Sequence, residues 1–137
     1  MTPAPLRVAL DASALLALVL RERGAETIDA LLAVSCVPVS AMVEVLYRAG
    51  ARGHQMPAHR LYDDLLALGL DVEPVRGDDA VRAAELVASS RSSPAPGSLS
   101  LGDGLCIAVA ERLGLPLTGG DRYWSQDQMR VPFLPFR

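Results

Sequence analysis

The sequence predicts an α/β protein of three layers, α/β/α, around a central and mainly parallel sheet. Three observations lead there. Short apolar runs alternate with segments of helical periodicity along the chain. Those runs are continuous, as in strands buried on both faces. The 137 residues, 50% of them hydrophobic, suffice for one core and not for two. Residues 1–137 therefore read as a single domain, in which right-handed crossovers place helices on both faces of the sheet.

Arg7-Val8-Ala9-Leu10 forms the first strand and Asp11 ends it. Ser13 can cap a helix reaching Arg23, with Gly24 as its stop signal, and a second helix covers Ala25 to Ala33. Cys36 to Val39 is the next strand, and its proline favours an edge or a strand start. Ser40 then caps a helix to about Arg52, whose apolar positions Val43, Leu46, Tyr47 and Gly50 share one face. Pro57 opens a helix to Leu68 that Gly69 ends, Asp71 to Val75 is a short strand, and Asp78 caps a helix over Asp79 to Ser89. The Ser-, Pro- and Gly-rich stretch from Ser89 to Ser98 is a loop. A helix from Ser100 to Leu113 stops at Gly114 and Pro116, Leu117-Thr118 begins a strand cut short by Gly119-Gly120, and Val131 to Phe136 is a peripheral extended piece.

Composition excludes several kinds of chemistry. All 13 basic side chains are Arg, so a P-loop, a Schiff base and a Lys that senses an acyl phosphate are ruled out. A net charge of −3 leaves polyanion binding to local Arg clusters rather than to a global field. Cys36 and Cys106 each sit in an apolar segment, where reduced thiols act as small hydrophobes, and a cytoplasmic location is expected. Val8 to Leu20 resembles the apolar part of a signal peptide, but Asp11 interrupts it and Arg21-Glu22-Arg23 follows. No stretch is long and uncharged enough to span a bilayer.

Ligand sites of such sheets lie beyond the carboxyl ends of the strands, and there the sequence places acids. Asp11 follows the first strand, Glu44 sits early in the helix after the second, Asp103 lies in the first turn of the helix from Ser100, and Asp121 follows the Gly-Gly turn. Each has a plain structural use. Asp11 can cap a helix, Glu44 can pair with Arg48 four residues on, Asp103 can form a capping box with Ser100, and Asp121 can shape a turn. Together they would form one pocket of four repelling anions, which a divalent cation relieves. Oxygen ligands select Mg²⁺ or Mn²⁺, and the chemistry such ions support here is phosphodiester hydrolysis.

The runs Val8 to Leu15, Ser40 to Val45, Leu99 to Asp103 continuing through Cys106 to Ala110, and Leu117 to Arg122 together resemble the PIN domain. More narrowly, their order and the chain length are similar to the VapC toxins of bacterial type II toxin–antitoxin pairs. The resemblance implies a Mg²⁺- or Mn²⁺-dependent ribonuclease, usually a homodimer, silenced by a cognate antitoxin. It carries the acidic site over to Asp11, Glu44, Asp103 and Asp121, with Ser13 and Thr118 as supporting hydroxyls. Asp11 and Asp103 would be the principal metal ligands, with Glu44 and Asp121 binding directly or through water. The chain departs from the family at Gly119-Gly120, where a single small residue and Ala or another short residue often precede the fourth acid. The two glycines make that turn more flexible.

Arg122 and Arg48 are the candidate RNA contacts, with Arg52 and Arg91 as further guanidinium groups. Tyr123 and Trp124 can stack on bases or close the core. His54 and His59 have no acid or Cys at metal-ligand spacing and read as solvated. A signalling receiver fails for want of an acidic pair and a Lys, and a haloacid-type phosphatase fails because Ser13 stands where its second Asp belongs. The alternative left standing is a PIN-like module that binds RNA or protein without cutting. The apolar first two helices, Ala14 to Leu20 and Ala25 to Ala33, are expected to offer a surface to the antitoxin or to a second copy.

Overall fold

The computed structural model describes residues 7–92, 98–119 and 128–137. Five strands form one sheet in the order β3-β2-β1-β4-β5. These are β1 (Val8–Leu10), β2 (Ser35–Pro38), β3 (Asp71–Glu73), β4 (Leu117–Gly119) and β5 (Phe133–Pro135). All four pairings are parallel. With helices on both faces this is the three-layer α/β/α arrangement the alternation predicts. The central strands β1, β2 and β4 are buried along their whole length, which accounts for their continuous apolar sequence.

The helices are α1 (Ala12–Val19), α2 (Ala25–Leu31), α3 (Val39–Ala51), α4 (Ala58–Ala67), α5 (Gly77–Ser92) and α6 (Leu101–Leu113). Several boundaries differ from the sequence reading. Asp11, not Ser13, caps α1, and the helix ends at Val19 rather than Arg23. Gly24 precedes α2 instead of stopping α1, at φ 91°. Pro38 sits in an interior strand, but as its last residue, where φ of −60° already suits the entry to α3. Ser40 consequently lies inside α3 and not at its cap. The final extended piece is an edge strand, as its two prolines require. Helix α5 continues to Ser92, and residues 93–97 of the expected loop lie outside the described residues.

The face of α3 shared by Val43 and Tyr47 is not the buried one. Val43 and Tyr47 are 64% and 75% exposed, while Ala41, Met42, Val45 and Ala49 turn inward. The first two helices also differ from expectation, because none of the exposed large hydrophobics lies on them. Leu18, Val19, Leu20 and Leu31 are instead partly buried against the core. The core runs from α1 through the sheet to α6, with Leu10, Leu15, Val37, Val45, Ile107 and Leu117 almost fully enclosed. Cys36 and Cys106 are buried free thiols. No helix among the described residues is long and apolar enough to cross a membrane.

Candidate functional site

Strand succession runs one way from β1 through β2 to β3 and then jumps to the other side for β4 and β5. The carboxyl ends of β1 and β4 therefore flank the topological switch point, where such sheets leave a crevice for ligands. Asp11 occupies this place. Its backbone N–H donates to the Thr118 carbonyl at 3.0 Å, joining it to the end of β4.

The Asp11 carboxylate is 4% exposed and held firmly. Oδ1 accepts hydrogen bonds from the Ala14 N–H and from Ser13 Oγ, both at 2.8 Å, and Oδ2 lies 2.9 Å from the same hydroxyl. Capping α1 and presenting an acid at the switch point are thus two uses of one side chain. Burial is the main influence on this carboxyl and raises its pKa. The bonds from Ala14 and Ser13 pull it down, the charges of Asp103 and Glu44 push it up, and the net position is about 7.

Those two acids come from different elements. Asp103 lies in the first turn of α6 within a complete capping box. Its Oδ2 accepts from the Ser100 N–H, and Ser100 Oγ accepts from the Asp103 N–H, each at 3.0 Å. Glu44, in the second turn of α3, pairs with Arg48 at 2.8 Å, so the i,i+4 pair is formed. The first turn of α6 passes beside it, since a Cβ on Gly102 would stand 3.5 Å from Glu44 Oε2. Cys106 gives a second measure of the convergence. Burial raises its thiol pKa well above the usual value, and the charges of Asp11, Asp103 and Glu44 all add to the shift. One buried sulfur therefore feels the same three acids.

Thr118 is 2% exposed, and its hydroxyl has no hydrogen-bond partner among the described residues. Asp121, Arg122, Tyr123 and Trp124 lie outside the described residues. Among the described residues no three His, Cys, Asp or Glu side chains are gathered closely enough to hold an ion. Of the other candidates, Arg52 pairs with Glu22 at 3.1 Å and Arg91 is exposed late in α5. His59 is exposed as expected, whereas His54 is half-buried, with Nδ1 accepting from the Met56 N–H at 3.3 Å.

Two features escape a linear reading. Asp79, 2% exposed, binds Arg112, which also reaches Glu73 and the Pro74 carbonyl, while Arg82 forks onto Glu111. Partners 29 to 39 residues apart leave no local signal. The other feature is a cleft of about 570 Å³ that takes in residues from the end of α1, from α2, from α4 and from the segment after α3. Leu18, Val19, Met56, Leu61, Leu65 and Leu68 give it an apolar lining, and Glu22, Glu26, Asp29 and Asp64 outnumber Arg21 among its charged groups.

The family model of the PIN domain matches residues 8–126. No curated protein sequence matches the chain. Among solved structures, a toxin–antitoxin complex from Klebsiella pneumoniae is similar with a TM-score of 0.72 and 17% identity, over 95% of this chain and 98% of that one. DNA-bound VapBC from Salmonella typhimurium gives 0.71 and 13% identity over 97% and 100% of the two chains. VapC20 from Mycobacterium tuberculosis, a toxin that cleaves the sarcin-ricin loop, gives 0.70 and 20% over 89% and 95%. Likeness at these identities establishes the fold.

Proposed function

The chain belongs to the PIN domain family, and from that membership we propose that it is a metal-dependent endoribonuclease acting as the toxin of a toxin–antitoxin pair. The observation that carries the reading is the Asp11 carboxylate at the switch point, whose pKa is raised first by burial and further by the charges of Asp103 and Glu44. A divalent cation would hold such a carboxylate in its charged form. The donors are all hard oxygens, which suits Mg²⁺ or Mn²⁺. Asp11 and Asp103 would hold Mg²⁺ or Mn²⁺, with Glu44 and Asp121 bound directly or through water.

When bound, such an ion polarises a phosphoryl oxygen and supplies a nucleophile at neutral pH. The residues of the chain do the rest. Ser13 and the start of α1 fix the direction of the Asp11 oxygens, and the capping box fixes Asp103. Glu44 and Asp121 would orient the attacking water, and Arg48 and Arg122 would offer guanidinium groups to flanking phosphates. In-line attack of water on phosphorus would then break the P–O3′ bond and leave a 5′-phosphate and a 3′-hydroxyl.

Support for the toxin role comes from the neighbours, which include toxin–antitoxin complexes and a toxin that cleaves RNA. The cleft beside α1, α2 and α4 would take an amphipathic antitoxin segment, which would place an Arg or Lys near the acids. The exposed α3 stripe of Val39, Val43 and Tyr47 suits pairing with a second copy. The test is incubation of purified protein with total cellular RNA in Mg²⁺ or Mn²⁺ and in chelator, followed by mapping of the cut ends. Cleavage only with metal, absent in the Asp11→Asn, Asp103→Asn double variant, is the expected result. Binding of RNA without cleavage would favour the silent module, and cleavage by the double variant at the original rate would remove the mechanism.

A further inference from the structure

The Gly119-Gly120 pair invites explanation as a flexible turn, but Gly119 lies in an extended, buried strand. It is the last residue of β4, pairs with Pro135 of β5, and its φ is outside the left-handed region. Nothing in its backbone requires glycine. What requires it is Asp11. A Cβ at position 119 would stand 2.5 Å from Asp11 Oδ2, 2.8 Å from Cγ and 3.2 Å from Oδ1, and these are its three nearest atoms. We infer that Gly119 is a positioning residue for the reaction: its missing side chain is the slot in which the Asp11 carboxylate is held. The inference rests on the proposed role of Asp11 in metal-dependent cleavage.

The carboxylate has nowhere else to go. Its bonds to Ala14 N and Ser13 Oγ fix it from the α1 side, and at 4% exposure it cannot swing into solvent without opening the junction of β1 and β4. A methyl group at 119 therefore has to break the Asp11 cap or push β4 away from β1. Either movement misplaces a ligand by a distance comparable to a bond length, which costs about 100-fold in rate where geometry is catalytic. An alanine would otherwise be welcome, because its backbone entropy favours an extended strand over glycine.

The experiment is a double-mutant cycle on the full-length chain. In chelator, Gly119→Ala should lower Tm by about 5 °C or more in the native background, as overpacking does in a domain of this size. In an Asp11→Ala background the same change should leave Tm unaltered or raise it. An equal fall in both backgrounds overturns the inference. If Gly119→Ala alone fails to fold, regained folding in the double variant supports the slot and continued failure overturns it. On the native background Gly119→Ala should also weaken Mn²⁺ binding by tenfold or more, read by calorimetry, and lower kcat for RNA about 100-fold with KM unchanged. Native cleavage by the variant would refute the positioning role. Should the unmodified protein cleave no RNA, the proposed function fails while the slot is still decided by the Tm cycle and the Mn²⁺ titration.

Discussion

At the scale of single residues the site is built from side chains with two duties. Asp11 caps α1 and also carries the charge at the switch point, so replacement by Asn separates the two. Asn keeps an Oδ1 that accepts from Ala14 N and Ser13 Oγ while removing a charge that burial disfavours. Asp11→Asn should fold with a Tm in chelator no lower than the native protein, yet lose metal-dependent cleavage. A fall of several degrees would mean that the cap needs the charge. Thr118 offers the converse test. A buried hydroxyl without a partner costs about 1–3 kcal/mol of stability, and Thr118 has none among the described residues, so Thr118→Val should raise the stability measured by urea unfolding in chelator. If the hydroxyl supports the metal site, cleavage should fall in the same variant. A stabilised and fully active variant would assign Thr118 to the core alone. The sequence made most of this legible, because strand ends and helix starts are local patterns that fix where Asp11 and Asp103 stand. It could not assign the cap correctly, since Asp11 and Ser13 are both good capping residues and only the tertiary path of β1 decides between them.

At the scale of elements, α5 and α6 are clasped by charge as well as by packing. Asp79 and Glu111 each show the same balance. Burial alone would raise their pKa values, but hydrogen bonds from Arg112 and the Arg76 N–H outweigh it at Asp79, and those from Arg82 and the Arg130 N–H outweigh it at Glu111. Both pKa values end below the ordinary range. Because the folded state binds these protons less readily than the unfolded chain, the stabilisation is fully present above the unfolded pKa near 4 and is lost as pH falls through the lower folded values. Urea unfolding followed below pH 4 should therefore steepen with acid in the native protein and less so in Glu111→Gln. Asp79→Ala should cost about 2 kcal/mol at pH 7, because it removes a buried carboxylate from Arg112 and from the Arg76 N–H while Arg112 keeps Glu73 and the Pro74 carbonyl. Asp71→Ala, which breaks the exposed Arg7 pair, should cost less than about 0.5 kcal/mol. None of this clasp is legible locally. Helix α3 shows a related limit. Its two faces, Ala41-Met42-Val45-Ala49 and Val43-Leu46-Tyr47, are both apolar at helical spacing, and the turn from Pro38 selects the buried one.

At the scale of the whole molecule, parallel topology gathers residues from three separate elements at one edge of the sheet and leaves a cleft beside α1, α2 and α4. The alternation of strands and helices was enough to predict that edge, since every crossover returns the chain to it. The cleft was not predictable as a cavity, because the sequence says that α1 and α2 are apolar but not which side chains stay open after packing. Its charge now defines what fits. Apolar contacts at Leu61, Leu65 and Leu68 with an acidic surround call for an amphipathic segment whose polar face is basic. Leu68, 58% exposed at the end of α4, can be changed with little effect on folding. Leu68→Arg removes an anchor and adds a charge that repels a basic partner. The unmodified protein should slow growth when expressed alone and be neutralised by the small reading frame beside its gene. Leu68→Arg should slow growth equally but resist that neutralisation, with RNA cleavage in vitro unchanged. Full neutralisation of an equally toxic Leu68→Arg would place the antitoxin on a different surface, and a folded native protein that leaves growth untouched would withdraw the toxin role while keeping the fold.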